Sequence, residues 1–274
     1  MSLDRLLALV VGLTLLVGGA AWYYSQRHPN LLRGTAVAPP DADQDSWLAE
    51  LMSQNPRESE AAAQRVKELG PRALPLVRDI LQDPQNDTAM RKAALRAAGL
   101  IGQAAAPAIP DVAACLYDRE LTADAAIALS FMGAGAFAPL RDALSSGDPA
   151  IRREALRSLG KLTERAPLEP RAVLPLLVDG MRDPDEGVRA VGATYLGIIR
   201  GDPERSVAAL ASGLSDPDVA VRRASAMSLA SFTGAEAKDA IPALRKASSD
   251  SDPDVAREAG ATLVKLQTPA ETKR

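Results

Sequence analysis

The sequence has one cysteine and one histidine, Cys115 and His28, in 274 residues. A single cysteine excludes an intrachain disulfide, and one histidine cannot supply the clustered ligands of a zinc site. Cys115 lies among the apolar positions of a predicted helix, which favours a buried structural thiol over a nucleophile. No glycine-rich phosphate loop is present. The sequence therefore predicts no cofactor, no bound metal and no enzymatic activity of its own.

Aromatic side chains and surplus positive charge are also scarce. Aromatic residues make up 3% of the chain and the formal net charge is −3. Proteins that bind nucleic acids usually present a basic stripe interleaved with stacking aromatics. Nucleic acid is therefore not an expected partner. The 47% of hydrophobic residues consist mainly of Ala, Leu and Val, which suit closely stacked helices.

One degenerate motif recurs seven times along the chain. It consists of an apolar residue and, with one exception at each position, a small residue four positions later and a leucine eight positions later. Its first position is filled by Ala61, Met90, Leu121, Ile151, Val188, Val221 and Val255. Positions i, i+4 and i+8 share one face of an α-helix, so each copy predicts one amphipathic helix with a narrow, small-residue face. A period of roughly 30 to 37 residues is typical of a solenoid of stacked helix pairs.

Each motif is preceded by a helix-start signal. Asp-Pro stands before most copies, at residues 83–84, 148–149, 183–184, 216–217 and 252–253, and Asn55-Pro56 stands before the first. Asp and Asn accept hydrogen bonds from the first helical N–H groups, and proline suits the first helical position. A second helix, usually announced by another proline, follows each motif helix. We therefore expect six helix pairs and a final helix over residues 55–267, followed by a polar tail at 268–274.

These features resemble the HEAT-repeat family, most closely its short bacterial variety, the phycobilisome-lyase-type HEAT-like repeats. The clearest segments are Asp-Pro-Asp-Val-Ala-Val-Arg-Arg-Ala at 216–224 and Ala-Ile-Pro-Ala-Leu at 240–244. The resemblance implies an all-α fold, a right-handed α-α superhelix whose second helices line the concave side.

The resemblance also implies a polar ladder of Asp and Arg side chains between neighbouring repeats. Here it would use Asp83, Arg91, Asp148, Arg152, Asp183, Arg189, Asp216, Arg222 and Asp252. Ala62, Thr122 and Ala256 replace the arginine in the other repeats, so we expect an incomplete ladder. The repeat that begins near Leu121 also lacks Asp-Pro, which predicts irregular stacking there.

After an N-terminal tail of residues 1–5, an uncharged stretch covers residues 6–24. As a helix it would span roughly 28 Å, close to the thickness of a bilayer core. Trp22, Tyr23 and Tyr24 at its end fit an interfacial aromatic belt. We expect a single transmembrane helix that anchors the protein. A cleaved signal peptide, with small residues at positions 19–21, is the alternative.

Residues 25–45 contain prolines and acidic residues without a period and predict a flexible tether. Residues 46–54 predict a short capping helix for the solenoid, with Trp47 either covering the core or contacting a partner. Charges flanking residues 6–24 nearly cancel, but the short tail favours translocation of the bulk of the chain. Because the composition is rich in Arg, Ala and Gly, as in GC-rich bacterial genomes, we expect the solenoid in the periplasm.

The second helices carry charged residues of both signs where a concave surface is expected: Arg78, Asp79, Arg141, Asp142, Asp179, Arg245 and Lys246. Mixed charge favours a polypeptide ligand over a polyanion, although an ordinary solvated surface has the same pattern. We expect a non-enzymatic, membrane-tethered scaffold that binds a protein or peptide. The alternatives are a lyase-like accessory subunit of an enzyme complex, or a secreted periplasmic binding module after signal cleavage.

Overall fold

The computed structural model describes residues 46–165 and 170–268. The predicted N-terminal tail, membrane anchor and tether at residues 1–45, and the polar tail from residue 269 onward, lie outside the described residues. So do His28 and residues 166–169, which stand between the two helices of the fourth repeat in the sequence. The following paragraphs concern the described part alone.

In that part the chain is all-helical, without β-strands. The α-helices in chain order are α1 (Ser46–Leu51), α2 (Pro56–Leu69), α3 (Leu74–Gln82), α4 (Thr88–Ile101), α5 (Ile109–Ala114), α6 (Thr122–Leu129), α7 (Phe137–Ala143), α8 (Pro149–Arg165), α9 (Pro170–Gly180), α10 (Glu186–Ile199), α11 (Pro203–Gly213), α12 (Val219–Leu229), α13 (Ile241–Ala247) and α14 (Pro253–Gln267). The even-numbered helices carry the recurring motif and are called motif helices below. The odd-numbered helices from α3 to α13 are the second helices.

Helix starts use the predicted capping chemistry, with a shift in three repeats. Asn55 caps α2 and Asp252 caps α14, each with a proline in the first helical turn. Before α10 and α12 the capping residue is instead Asp185 or Asp218, two residues beyond the aspartate of the Asp-Pro pair. α4 is likewise capped by Asp87. The aspartates of those Asp-Pro pairs therefore take part in other contacts.

The motif helices pack directly against one another through their small residues. A Cβ atom added at Gly197 of α10 would lie 2.6 Å from the Ser228 Cβ of α12. One added at Gly99 of α4 would lie 3.3 Å from the Ala128 Cα of α6. These distances leave no room for a side chain, so the backbones of successive motif helices approach closely. Leucines such as Leu129 fill the core behind these close contacts between motif helices.

Neighbouring second helices have far fewer close contacts with each other than neighbouring motif helices do, so they are spaced more widely. Between α9 and α11, for example, lies a groove of about 370 Å³, lined by residues that include Asp179, Arg182 and Arg205. A stack of helix pairs curves toward the side on which its helices are closer together, so the motif helices lie on the inner side. This reverses the expectation that the second helices line the concave side. The small residues that permit close approach belong to the motif helices.

Helix α1 covers the first end of the stack. Trp47 is 1% exposed, and α1 packs against α2 and α4. Arg96 of α4 donates a hydrogen bond to the Leu51 carbonyl at 3.2 Å, and Arg65 of α2 donates one to the Ser46 hydroxyl at 2.8 Å. Trp47 is therefore part of the core and is not presented to a partner.

One described stretch, Thr88–Tyr117, is long and apolar enough to cross a membrane, with a mean hydropathy of 1.3. In the structure it is not one helix. Gly102, with a φ of +68°, ends α4, and a short 3₁₀ segment leads into α5. Its buried apolar residues pack in the solenoid core. The stretch therefore resembles a membrane span in length and composition only.

Candidate functional site

Three arginine–aspartate pairs of the same geometry join successive repeats in the C-terminal half. In each pair the arginine of one motif helix donates Nε and Nη2 to both carboxylate oxygens of an aspartate in the next repeat. The pairs and distances are Arg152–Asp183 (2.8 and 2.7 Å), Arg189–Asp216 (2.8 and 2.9 Å) and Arg222–Asp250 (2.8 and 3.0 Å). The remaining nitrogen, Nη1, donates to two carbonyls of the loop that precedes its own helix. Each guanidinium therefore holds three segments together.

The ionised form of each aspartate in these pairs is stabilised by its hydrogen bonds. Burial opposes ionisation of Asp183 and Asp216, but hydrogen bonds from the arginine and from a backbone N–H outweigh it, so the pKa of each carboxyl lies below its usual value. For Asp250 the Arg222 hydrogen bond is the largest cause of a lowered pKa. The pairs are charge-assisted and bidentate, the strongest geometry for such contacts.

Three of the expected ladder aspartates take other positions. Asp83 ends α3 and accepts a hydrogen bond from the Gln85 N–H. Asp148 accepts one from the Ala150 N–H at the start of α8, with the exposed Arg119 at 3.6 Å. Asp252 caps α14. These residues follow the Asp-Pro pattern but are used for helix ends.

Two ladder aspartates, Asp118 and Asp250, were not among the ladder residues predicted from the sequence. Asp118 pairs with Arg91 at 2.9 Å through one carboxylate oxygen only. A usable signal was present, because each ladder aspartate also accepts a hydrogen bond from the N–H two residues later. In three repeats that later residue is the capping aspartate, which gives Asp-x-Asp at 183–185, 216–218 and 250–252. Asp-x-Asp therefore finds Asp250, which Asp-Pro misses, but it does not find Asp118 and also matches residues 252–254, where Asp252 caps α14.

Cys115 lies beside the irregular Arg91 contact. Its thiol is buried and donates to the Asp111 carbonyl at 3.5 Å, and Arg91 Nη2 lies 3.7 Å from the sulfur. Burial raises the pKa of Cys115, and the nearby Arg91 charge offsets this only in part. The thiol is therefore protonated at neutral pH and serves in packing.

The seven charged residues expected to bind a partner are distributed along the stack. They lie on four second helices, the outer side of the stack, as follows: Arg78 and Asp79 on α3, Arg141 and Asp142 on α7, Asp179 on α9, and Arg245 and Lys246 on α13. Several are paired locally. Arg78 contacts Asp111 at 2.6 Å, and Arg141 contacts its neighbour Asp142 at 2.8 Å. Of the seven, Asp179 lines the groove between α9 and α11.

A larger groove opens on the inner side, across α1, α2, α4 and α6. Its volume is about 600 Å³. Ala93, Gly99 and Ala128 are among the small residues that line it, and its larger apolar side chains include Met52, Leu100, Ile127 and Phe131. We call it the N-terminal groove. We call the whole surface formed by the motif helices and the turns that follow them the motif face.

Positive charge predominates among the side chains that line the N-terminal groove. Lys67, Lys92, Arg96 and Asp124 are its charged residues. Lys92 Nζ lies 3.9 Å from Asp124. Across residues 46–165 and 170–268, no carboxylate oxygen lies within 4.0 Å of the Lys67 or Arg96 side-chain nitrogens. Two cations therefore border the apolar surface without a neutralising carboxylate.

Arg165 fixes the far wall of the groove. Its guanidinium lies over the Phe131 ring, 4.1 Å from the ring centroid, and donates to the Ser130 hydroxyl at 3.3 Å. A cation stacked on an aromatic face holds the ring in place. Beyond it, α8 presents Glu154 paired with Arg157 at 2.7 Å. The motif face is therefore apolar at the groove and charged next to it.

The sequence did contain a signal for this surface. Ile127 and Met227 stand six residues after the first motif position of their repeats, and Phe131 and Ile198 stand ten residues after it. Several other repeats carry charged residues at these outward positions, including Arg157, Lys161 and Lys265. Large apolar side chains at solvent-facing positions mark a candidate binding surface.

Across residues 46–165 and 170–268, no three side chains of the His, Cys, Asp and Glu types lie close enough to share a metal ion. The conspicuous carboxylates are engaged with arginines or with helix N–H groups. The N-terminal groove is the larger of the two grooves described above, and exposed apolar side chains line it, which suits it to a ligand.

Comparison with known proteins identifies the repeat. A family model described as HEAT repeats matches residues 109–196, 137–230 and 207–273, which together span more than half of the chain. The crystal structure of Kap121p is similar over 82% of this chain and 29% of its own, at 15% identity and a TM-score of 0.61. The chain thus corresponds to less than a third of Kap121p. That likeness shows an all-helical, HEAT- and armadillo-like solenoid fold.

Two further solved structures are similar at lower TM-scores. An engineered protein matches over 83% of this chain and 69% of its own, at 21% identity and a TM-score of 0.49. A set of computationally designed armadillo repeat proteins for modular peptide recognition matches over 81% of this chain and 98% of its own, at 17% identity and a TM-score of 0.44.

Proposed function

The chain belongs to the HEAT-repeat family, and we propose that it is a non-enzymatic scaffold that binds a protein or peptide through its motif face. Solenoids of this kind typically bind proteins, because stacked repeats present an extended and continuous surface. The observation that carries the proposal is the N-terminal groove, where Ile127 and Phe131 remain exposed beside small residues. Clustered exposed apolar side chains of this size mark interaction sites.

The motif face offers more than the groove. Ile198 of α10, Met227 of α12 and Val264 of α14 are exposed as well. They belong to three successive motif helices, so an elongated partner can contact the inner side over several repeats. The second helices present charged residues that are largely paired with near neighbours, as Arg141 is with Asp142. Paired surface charges add little binding energy.

We further propose that the protein is a short bacterial HEAT-like scaffold held at a membrane by residues 6–24, with residues 25–45 as its tether and the solenoid in the periplasm. The uncharged, aromatic-ended stretch at residues 6–24 supports the anchor. Anchoring confines the binding surface near the bilayer and raises the effective concentration of a partner at the same membrane.

Photo-crosslinking tests which face binds. A benzoyl-phenylalanine is placed in the full chain at Phe131 or Ile198 of the motif face, or at Tyr117, an exposed aromatic that follows the second helix α5. We expect the same protein adduct from Phe131 and Ile198 and none from Tyr117. Adducts from Tyr117 alone, or no reproducible adduct at any position, would exclude the motif face as the binding surface.

Protease accessibility tests the placement at the membrane. We expect the solenoid to sediment with membranes, to be digested once the outer membrane is opened, and to be protected in intact cells. Digestion that requires rupture of the inner membrane would place the solenoid in the cytoplasm. Release into the soluble periplasmic fraction would show instead that residues 6–24 are part of a cleaved signal peptide.

A further inference from the structure

We propose that the N-terminal groove binds an acidic amphipathic peptide, a short segment whose large apolar side chains enter the groove while its carboxylates pair with Lys67, Lys92 and Arg96. This proposal rests on the proposed function and names the partner's chemistry. It concerns one part of the motif face and makes no use of the membrane anchor.

The apolar half of the proposal rests on how exposed side chains converge. Eight large apolar side chains of the described residues are substantially exposed, and three of them line this one groove. They are Met52 at 40%, Ile127 at 45% and Phe131 at 42% exposure. They come from the turn after α1, from α6 and from the turn after α6, so the fold and not the local sequence assembles them. Covering such a cluster with apolar ligand atoms is favourable, because it removes apolar surface from water.

The depth of the groove comes from residues that are small. Ala93, Gly99 and Ala128 line it where α4 and α6 approach. A Cβ atom at Gly99 would lie 3.9 Å from the Phe131 ring, so this glycine leaves one side of the ring uncovered. The volume of about 600 Å³ falls within the range of about 300 to 1,000 Å³ that is usual for ligand pockets. That space holds a few side chains of a peptide.

The acidic half of the proposal rests on unbalanced charge. The groove is lined by three cationic side chains and one carboxylate, and that carboxylate, Asp124, lies 3.9 Å from Lys92. Lys67 and Arg96 have no carboxylate within 4.0 Å in the described part of the chain. A bound acidic peptide would supply the missing carboxylates, whereas a basic peptide would meet like charge next to a surface of low dielectric constant.

The geometry also separates a peptide from a membrane surface. The apolar side chains of Met52, Ile127 and Phe131 line a recess of about 600 Å³, and Arg165 lies over the Phe131 ring. Interfacial membrane binding requires an apolar face that projects beyond its surroundings into the headgroup region. An extended or helical segment can lay alternate side chains into such a recess, as in the known groove-binding modes of peptides.

Selection from a library of random linear peptides tests the proposal, with the full chain in detergent micelles as bait. We expect enriched peptides that combine large apolar residues with Asp and Glu. Their affinity should fall about tenfold or more for Ile127→Ala or Phe131→Ala, as for central apolar contacts in other interfaces. The matched control is Tyr117→Ala, which removes an exposed aromatic side chain after the second helix α5, outside the motif face, and should leave affinity unchanged. Ile198→Ala, on the motif face but outside the groove, reports binding elsewhere on that face.

A charge-reversal pair tests the acidic preference separately. Lys67→Glu combined with Lys92→Glu should weaken the selected peptides about tenfold, and versions with Lys in place of their Asp and Glu should recover binding to this variant. The double variant Arg245→Glu and Lys246→Glu makes the same charge change on exposed positions of α13 and should have no effect. Circular dichroism establishes that each variant is folded, and the exposed lysines are not needed for packing.

The outcomes separate the two proposals. Enrichment of basic or uncharged peptides, or binding that is lost with Ile198→Ala and not with Phe131→Ala, would overturn the acidic-peptide assignment and leave motif-face binding in place. Binding sensitive only to changes on α13, or no selected peptide at all, would overturn both. Displacement of the peptides by phosphatidylglycerol vesicles in a Lys92-dependent manner would replace the peptide with an anionic lipid surface.

Discussion

At the scale of single residues, the aspartates that join repeats carry out two tasks at once. Asp216 accepts both donors of Arg189 and also the N–H of Asp218, which in turn caps α12. The same arrangement recurs with Asp183 and Asp250. An inter-repeat contact and a helix start are therefore coupled through one short turn. Loss of the carboxylate would leave a largely buried guanidinium without its partner.

We predict that Asp216→Asn lowers the free energy of unfolding by about 2 kcal/mol at neutral pH, because it removes charge-assisted hydrogen bonds to a part-buried arginine. The pKa of Asp216 is lowered in the folded state, so its stabilising contribution is present above the unfolded-state pKa. That contribution is lost as the pH falls through the folded-state pKa. The difference between wild type and variant should therefore shrink as the pH falls below the unfolded-state pKa of the aspartate.

Urea denaturation of both proteins, followed by circular dichroism at several pH values, measures this difference. The control is Asp179→Asn, which removes an exposed carboxylate whose partner Arg182 is also exposed. It should cost less than about 0.5 kcal/mol. If the Asp216→Asn difference stayed constant down to low pH, the lowered pKa would not contribute to stability.

At the scale of the helices, stacking depends on where the motif helices lack side chains. Gly197 of α10 faces Ser228 of α12 so closely that an added Cβ would lie 2.9 Å from the Ser228 Cα. Backbone cannot move aside as a flexible side chain can. Gly260 of α14 has nothing within 4 Å of the corresponding position. The absence of a side chain therefore permits close helix packing at Gly197, whereas at Gly260 there is space for one.

We predict that Gly197→Ala destabilises the solenoid by about 1 to 3 kcal/mol, because the extra methyl group forces α10 and α12 apart. Gly260→Ala is the matched control. It should stabilise the protein by about 0.5 to 1 kcal/mol, because alanine favours the helix and meets no neighbour. Denaturation midpoints of the two variants test both statements, and equal effects of the same sign would refute the packing argument.

The helices also show how far sequence reasoning reaches. Motif period, capping residues and prolines predicted where helices occur, because these signals act within one helix and its first turn. Among the motif helices, α6 is the exception. It begins after Leu121 without a side-chain cap, as the missing Asp-Pro at that repeat indicated. Sequence alone did not show which aspartate of each turn belongs to the ladder. That depends on which aspartate the partner arginine contacts, and the arginine lies about thirty residues away in the sequence.

At the scale of the whole solenoid, contacts between repeats are uneven. Three bidentate pairs join the repeats that start at α8, α10, α12 and α14. Toward the N-terminus, Arg91 contacts Asp118 through one oxygen, and Arg119, 89% exposed, lies 3.6 Å from Asp148. In a linear array, stability depends on the interfaces between neighbouring units. The C-terminal repeats should therefore open together.

We predict slower backbone amide exchange in α10 and α12 than in α4 and α6, because the bidentate pairs flank the former on both sides. Hydrogen–deuterium exchange with mass spectrometry measures this. Arg189→Lys, which keeps the charge but loses the planar fork, should speed exchange in α10 and α12 and leave α4 unchanged. Uniform exchange along the solenoid would show that the ladder does not control local opening.

The sequence by itself determined an all-helical repeat protein, its period and the approximate start of its helices, since these depend on residue type and short-range spacing. It also supports a membrane anchor at residues 6–24, which remains a prediction. The tertiary structure decided which helices line the inner side, because that depends on the spacing between neighbouring helices. It also decided that Met52, Lys67, Lys92 and Phe131 line one groove. Those residues belong to different repeats, and only their stacking brings them together.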